Sequence, residues 1–341
     1  MKRALHRMLP LLPLAAAQLF AAAGGSTHEV ELEDSETVVY FGDPQIGFGR
    51  SGWQEDELRF ASAARAASNA SAVVIAGDLV NVWDNATLTG GFDKVWPSMF
   101  DRQKVHLVPG NHDVNSDAPT AASFKGQLDH YRTTFGVDYH SFETQFATFV
   151  MINSESLILP ELGLNCTGSA TSQRCCAGSQ CAALDKYIAN ETEAQWAWLE
   201  ATLKAASKPH TILVSHHPPF LKSASEAHVY WNWPPGVRNR LLGLLSKYGV
   251  HDLLCGHTHT TTNRTVDGFS IYTVAGTARA FDQNGCGVQV LTINSSSVDL
   301  EYVRQDDPAL KQCTPSLTHP DFEDNPHLRG TRWADVRWLL E

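Results

Sequence analysis

Five short polar motifs each follow an apolar run, and their order constrains the fold of this chain more than any other property. They are Asp43-Pro44-Gln45, Gly77-Asp78, Gly110-Asn111-His112-Asp113, Ser215-His216-His217-Pro218 and Gly256-His257-Thr258-His259. The runs before them, such as Val38-Val39-Tyr40-Phe41 and Ala72-Val73-Val74-Ile75-Ala76, are short and rich in β-branched residues, as strands buried on both faces are. Helical patterns separate the first three: residues 55–67 place Leu58, Ala61 and Arg65 on one face, and a second helix lies near 92–100. Strands alternating with helices predict βαβ units and a mainly parallel sheet. In such sheets reactive side chains gather at the carboxyl ends of the strands. The motifs are therefore expected to meet along one sheet edge.

Farther along, residues 139–143 and 146–152 flank a short turn and predict an antiparallel pair. A helix over 192–206, a strand over 211–214, a helix over 237–248 and a strand over 250–254 resume the alternation. Asp267-Gly268 is a hairpin signal, and 288–293 with 298–302 predict closing antiparallel strands. No repeat or Gly/Ser linker divides the chain, so one catalytic domain is expected over 36–304. It is preceded by a linker at 24–35 and followed by a polar tail at 305–341.

The ends and the cysteines suggest an address. Lys2, Arg3 and Arg7 precede an apolar run that holds Pro10 and Pro13 and closes on small residues at 21–24, so residues 1–23 read as a signal peptide. The run is shorter than the roughly 20 residues of a bilayer span, and no membrane span is expected in the mature chain. Asn69, Asn85, Asn165, Asn190, Asn263 and Asn294 each head an Asn-x-Ser/Thr sequon, against about two expected by chance. Cys166, Cys175, Cys176 and Cys181 crowd a Gly/Ser/Thr-rich insertion at 160–185, where three pairings are open; Cys286 with Cys313 would add a bridge, and Cys255 would stay a buried thiol. A secreted or lumenal glycoprotein is expected. A formal charge of −11 over 341 residues argues against a nucleic-acid partner. The sequence carries no trace of oligomeric state.

Carboxylates, amides and imidazoles converging in this way are the donor set of divalent cations. Two such cations about 3.5–4 Å apart activate water and clamp phosphoryl oxygens, which is the chemistry of phosphate-ester hydrolysis. The ordered motifs resemble those of the calcineurin-like metallophosphoesterases: Asp-x-His, Gly-Asp, Gly-Asn-His-Asp/Glu, a later His, and Gly-His-x-His. The resemblance spans about residues 36–304. It extends to the branch typified by calcineurin-like phosphoesterase domain-containing protein 1, phosphatases of the complete serine/threonine type, whose first motif is also Asp-Pro-Gln. The family fold it implies is a layered α/β arrangement, a four-layer αββα sandwich of two mixed sheets flanked by helices.

Carried over by position, the resemblance implies a first metal held by Asp43, Asp78 and His259, with Gln45 where most members have His, either as an amide ligand or with water filling its place. A second would be held by Asp78, Asn111, His216 and His257, so that Asp78 bridges. A metal-bridging hydroxide would attack phosphorus, His112 would assist the leaving group, and Asp113 would hold His112 in orientation. The ions would be Mn, Fe, Zn or Mg; the harder amide oxygen of Gln45 favours Mn or Mg at the first site. Gly77-Asp78-Leu79-Val80-Asn81 departs from the Gly-Asp-x-Val-Asp-Arg-Gly of calcineurin-type phosphatases and lacks the tyrosine of purple acid phosphatases. Asn81, His217 and Arg279 are candidate contacts for a phosphorylated small molecule or phosphoprotein. The segment with His228, Trp231, Trp233 and Pro234-Pro235 would be either an aromatic wall or a seal. The competing expectations are a phosphodiesterase or nucleotide pyrophosphatase, and a weakly catalytic secreted binding module.

Overall fold

The computed structural model describes residues 34–49, 51–99, 101–114, 121–161, 179–305, 310 and 313. The expected signal peptide, most of the expected linker, three of the four clustered cysteines and most of the tail lie outside them.

Among the described residues, eleven strands form two mixed sheets. The first contains β1 (Glu36–Phe41), β2 (Ala72–Ile75), β3 (Val105–Leu107), β10 (Gly287–Ile293) and β11 (Val298–Arg304), in the order β11-β10-β1-β2-β3. The second contains β4 (His140–Glu143), β5 (Ala147–Ile152), β6 (His210–Ser215), β7 (Asp252–Cys255), β8 (Thr262–Val266) and β9 (Phe269–Thr273), in the order β4-β5-β6-β7-β9-β8. β1, β2 and β3 are mutually parallel, as are β5, β6, β7 and β9; the antiparallel partners β10, β11, β4 and β8 sit outside these parallel blocks.

The alternation of strand side chains assigns the layers. Val38, Tyr40, Ala72 and Val74 from the first sheet meet Phe149, Met151, Ile212, Val214 and Leu254 from the second in a common core. The intervening Val39, Phe41, Val73 and Ile75 pack outward with Phe60, Phe92, Phe124 and Leu128. These belong to helices α1 (Trp53–Ala64), α2 (Ala86–Met99) and α4 (Ala121–Thr134). On the opposite side Val150, Ile152, Leu213, Leu253 and Ile271 pack with Trp196, Leu199, Leu241 and Leu245 of α6 (Ser179–Ala205) and α7 (Pro235–Lys247). Each such aliphatic side chain contributes about 1.5–3 kcal/mol through its burial. The result is the expected αββα order.

Local chemistry explains the boundaries. α7 starts with proline at its first position, where the missing N–H costs nothing, and buries Val237, Leu241 and Leu245 at helical spacing. The β8–β9 turn uses Asp267 (φ 51°) and Gly268 (φ 84°), the left-handed pair of a tight hairpin. Two short helices arise at site loops: α3 (Asn111–Val114) and α5 (Ser154–Ile158), the latter capped by Asn153, whose oxygen accepts from Ser156 N at 3.2 Å.

One expectation changes. The motifs do not share one sheet edge: β1, β2 and β3 deliver three of them from the first sheet, whereas β6 and β7 deliver two from the second. The carboxyl ends of both parallel blocks meet at one end of the sandwich, where Asp43 reaches the His257 backbone and His216 reaches Asp78.

Candidate metal centre

The loops that carry the motifs approach so closely that glycine is required. A Cβ on Gly110 would lie 2.2 Å from Asp78 Oδ1 and 2.7 Å from His216 Cε1. The backbone is also held in a sparsely populated conformation: Gln45 (φ 33°), Asp78 (50°), His257 (66°) and His259 (52°) all have positive φ. Such strain is stored where the surrounding structure demands a particular side-chain direction.

The imidazoles are oriented by their outer nitrogens. His216 Nδ1–H donates to Ala76 O (2.7 Å), His257 Nε2–H to Tyr230 O (3.1 Å), and His259 Nδ1–H to Arg279 O (2.9 Å). Each bond orients the ring and leaves its other nitrogen available to a cation, the usual preparation of a metal ligand. His216 Nε2 lies 3.4 Å from Asp78 Oδ1, 4.0 Å from Asp43 Oδ1 and 3.1 Å from Asn111 Oδ1. His259 Nε2 lies 3.6 Å from Asp43 Oδ1. The ligating atoms of Asp43, Asp78 and His216 all fall within 4.8 Å of one another.

The amides are set in the same manner. Asn111 Nδ2 donates to the Tyr230 hydroxyl at 3.3 Å, which turns Oδ1 toward His216. Gln45 Nε2 donates to Asn81 Oδ1 at 3.2 Å, while Gln45 Oε1 is buried with no hydrogen-bond partner. A buried acceptor without a donor is costly, and a cation would satisfy it.

The electrostatics agree. Burial pushes Asp43 up to about 8, with the charge of Asp78 adding to the rise. Burial opposes ionisation of Asp78 too, but attraction to His216 and His112 overcomes it and holds the group below the ordinary carboxylate range. Burial disfavours a charged His216, yet Asp78 and Asp43 outweigh that and raise it to about 10. Burial lowers His259 to about 4, and burial together with His217 and His216 depresses His257. Two buried carboxylates and the partnerless Gln45 Oε1 thus favour positive charge, from a proton on His216 or from cations. The oxygen and imidazole donors fit divalent metals.

His112 N donates to Asp78 Oδ1 at 2.8 Å, and its ring Nδ1 lies 2.9 Å from Asn81 O. The Asp113 carboxylate accepts the backbone N–H groups of Leu79 (3.0 Å), Val80 (3.4 Å) and Gly110 (2.8 Å), so it shapes the turn that presents Asn81 O to the imidazole. Its position on α3 aims it back at that turn.

His217 lies beside His257, with ring centroids 3.7 Å apart, and its Nδ1 is 2.6 Å from Oε1 of the fully buried Glu155. The Arg279 guanidinium sits over Phe48 at 4.8 Å and Phe281 at 5.3 Å, and both rings flank His259. The aromatic segment divides between the two roles expected for it. Trp233 is a seal: it is fully buried and donates Nε1–H to His217 O at 2.8 Å. Trp231 packs on His257 at 5.2 Å, next to Tyr230. Buried Arg238 ties the segment through the carbonyls of Trp233, Ala224 and Glu226. Sequence reasoning missed Tyr230, Glu155 and Phe48, because nothing in their local pattern separates them from packing residues.

The model of the Calcineurin-like phosphoesterase family matches residues 36–261, and the chain belongs to that family of metallophosphoesterases, which hydrolyse phosphoric esters. Among curated proteins it is similar to rat serine/threonine-protein phosphatase CPPED1, 25% identical over 322 residues that cover 86% of this chain and 93% of the relative. The zebrafish protein of the same name is 23% identical over 76% of the chain and 82% of its own length. Among solved structures, a dimetal phosphatase from Danio rerio shares the fold with a TM-score of 0.54 at 13% identity, covering 82% of this chain and 99% of that one. A purple acid phosphatase from yellow lupin shares it with a TM-score of 0.51 at 15% identity over 82% of this chain and 53% of that one.

Proposed function

We propose that the protein is a metal-dependent phosphatase of phosphate monoesters, phosphorylated proteins included. The observation that carries this reading is the shared preparation of three histidines: each bonds a backbone carbonyl through one ring nitrogen, and the other nitrogen of His216 and of His259 lies within 4.0 Å of the Asp43 carboxylate, while His257 has a ring nitrogen within 4.8 Å of one on His216. Asp43, Gln45, Asp78 and His259 would hold one divalent ion, and Asp78, Asn111, His216 and His257 a second. Such a pair supplies an acidified water as nucleophile and Lewis-acid stabilisation of the phosphoryl oxygens. The chain's own groups do the rest. His112, fixed through Nδ1 by Asn81 O, leaves Nε2 to protonate or hydrogen-bond the departing oxygen. Arg279, braced on two aromatic faces, and His217, braced by Glu155, are positioned to take non-reacting phosphate oxygens. The serine/threonine-phosphatase name of the similar rat protein supports a phosphoprotein substrate.

The test compares p-nitrophenyl phosphate with its bis-ester in added Mn²⁺. Faster turnover of the monoester, lost with chelator, is expected; preference for the bis-ester would assign a phosphodiesterase instead. A secretory address is also proposed. Asn69, Asn85, Asn190 and Asn263 are exposed, as glycan acceptors must be, and Cys286 is bonded to Cys313. A shift in gel mobility on glycosidase treatment of the protein from a secretory host is expected, and no shift would remove this support.

A further inference from the structure

A primary amide is an ambiguous ligand. Its oxygen binds a hard cation and its NH₂ cannot, yet the two ends have nearly the same size and shape. An imidazole at position 45 would meet a metal through a ring nitrogen, whereas glutamine needs a partner that distinguishes its ends. The structure contains one. Gln45 is fully buried, its Nε2 donates to Asn81 Oδ1 at 3.2 Å, and its Oε1 is the end left without a partner.

Asn81 is itself fixed by the backbone. Its N–H donates to Ile46 O at 3.0 Å, Ile46 forms a bridge with Val80, and Gln45 N–H donates to Asp78 O at 2.7 Å. The first and second motif loops are thus zipped together, with residues 45 and 81 facing across the join. The Asn81 carbonyl meets His112 Nδ1 at 2.9 Å. One residue therefore touches both the amide of the first metal position and the imidazole beside the leaving group.

We propose that Asn81 is a positioning residue that selects the oxygen end of Gln45 for the first cation, rather than a contact for phosphate. The inference rests on the two-metal reading above. It makes Gln45 a ligand whose competence is conditional on its neighbour, and assigns the pair to a hard cation such as Mn²⁺ or Mg²⁺. Asn81 acts on Gln45 through its side chain and on His112 through its backbone, so the two effects can be separated by substitution.

The experiment is calorimetric titration of the full chain with Mn²⁺, with electron paramagnetic resonance to count bound ions. The proteins are the native chain, Asn81→Ala, Gln45→His and the double variant. Loss of an outer partner of a ligand typically costs about 10–100-fold in metal affinity. Asn81→Ala is expected to weaken the first site by at least about tenfold and leave the second in place, with activity recovered by excess Mn²⁺. In the Gln45→His background the same substitution is expected to cost clearly less in first-site affinity than in the native background, because an imidazole has a nitrogen donor at either end and needs a partner only to fix its tautomer. Asn81→Asp, which keeps an acceptor oxygen, is expected to retain first-site binding; it also serves if Asn81→Ala does not fold, as judged by thermal unfolding.

Unchanged affinity in Asn81→Ala would overturn the proposal while leaving the two-metal reading intact, as would equal losses in both backgrounds or loss of the first site in Asn81→Asp. A native chain that binds fewer than two ions would overturn both.

Discussion

Replacing Tyr230 by phenylalanine isolates a single hydrogen bond at the second metal position. The Tyr230 hydroxyl accepts from Asn111 Nδ2 at 3.3 Å, and the ring packs on His257 with centroids 4.7 Å apart. Burial, reinforced by Asp78, pushes the phenol above its ordinary range, so it is a neutral partner at pH 7. A neutral hydrogen bond contributes about 0.5–1.5 kcal/mol net, and one of this length belongs in the lower half of that range. Tyr230→Phe therefore frees the Asn111 amide at a cost of about 0.5–1 kcal/mol, or about two- to fivefold in second-site affinity. The ring stays on His257, so the imidazole keeps its orientation. Titration with Mn²⁺ at fixed pH reads the change directly, with Tyr230→Ala and Asn111→Ala as references for loss of the ring and of the ligand. An affinity within experimental error of native for Tyr230→Phe, with a large loss for Tyr230→Ala, would refute orientation by the hydroxyl and leave ring packing as the cause.

Further outcomes follow from the same geometry. His106, on β3, stacks on Phe142 at 3.4 Å and bonds His140 Nε2 at 3.2 Å; burial, with repulsion from His140, lowers it to about 4. The unfolded chain takes up this proton below about pH 6.5 and the folded chain only near pH 4, so stability falls as pH drops through that window. The loss is about 2 kcal/mol after allowance for partial exposure. His106→Gln is expected to flatten the urea-midpoint profile between pH 7 and 4 relative to the native chain, and an unchanged slope would refute the assignment. Asp56 runs the other way: burial raises it to about 6 although Gly47 N and Gly49 N donate to it, so its ionisation lowers stability as pH rises from about 4 to 6. Asp56→Asn is expected to remove that slope in the same assay. Gly110→Ala is expected to abolish metal binding while far-UV circular dichroism stays native, because the added carbon would meet Asp78 Oδ1 at 2.2 Å.

Much of this architecture is legible in the chain because buried parallel strands are continuous apolar runs, and each is followed by a residue type that packing does not need. Residues 72–76 and 211–214 are found as strands within a residue or two of expectation. The division into two sheets is not legible, since pairing is a matter of tertiary contact: β1 lies between β2 and β10, partners from opposite ends of the domain. α4 is not legible in the chain either, because Gly126 and many polar residues mask the apolar spacing of Phe124, Leu128 and Tyr131. At the site, ligand candidates stand out by residue type, whereas the groups that orient them do not. Asn81, Tyr230, Glu155 and the carbonyls of Ala76 and Arg279 act through direction, and direction exists only after folding. The same limit explains Asp113, whose place beside His112 in sequence gives no sign that its carboxylate faces the turn after Asp78.

The central proposal is that Asp78 would serve as a shared ligand of two divalent ions and that His112 assists hydrolysis of phosphate esters at that site. Metal content and p-nitrophenyl phosphate turnover measured together on the native chain, Asp78→Asn and His112→Ala test it most directly. The account predicts about two ions per native chain. It also predicts loss of both metal and turnover in Asp78→Asn, and loss of turnover with metal retained in His112→Ala. Turnover that survives chelation, or persists in Asp78→Asn, would contradict it.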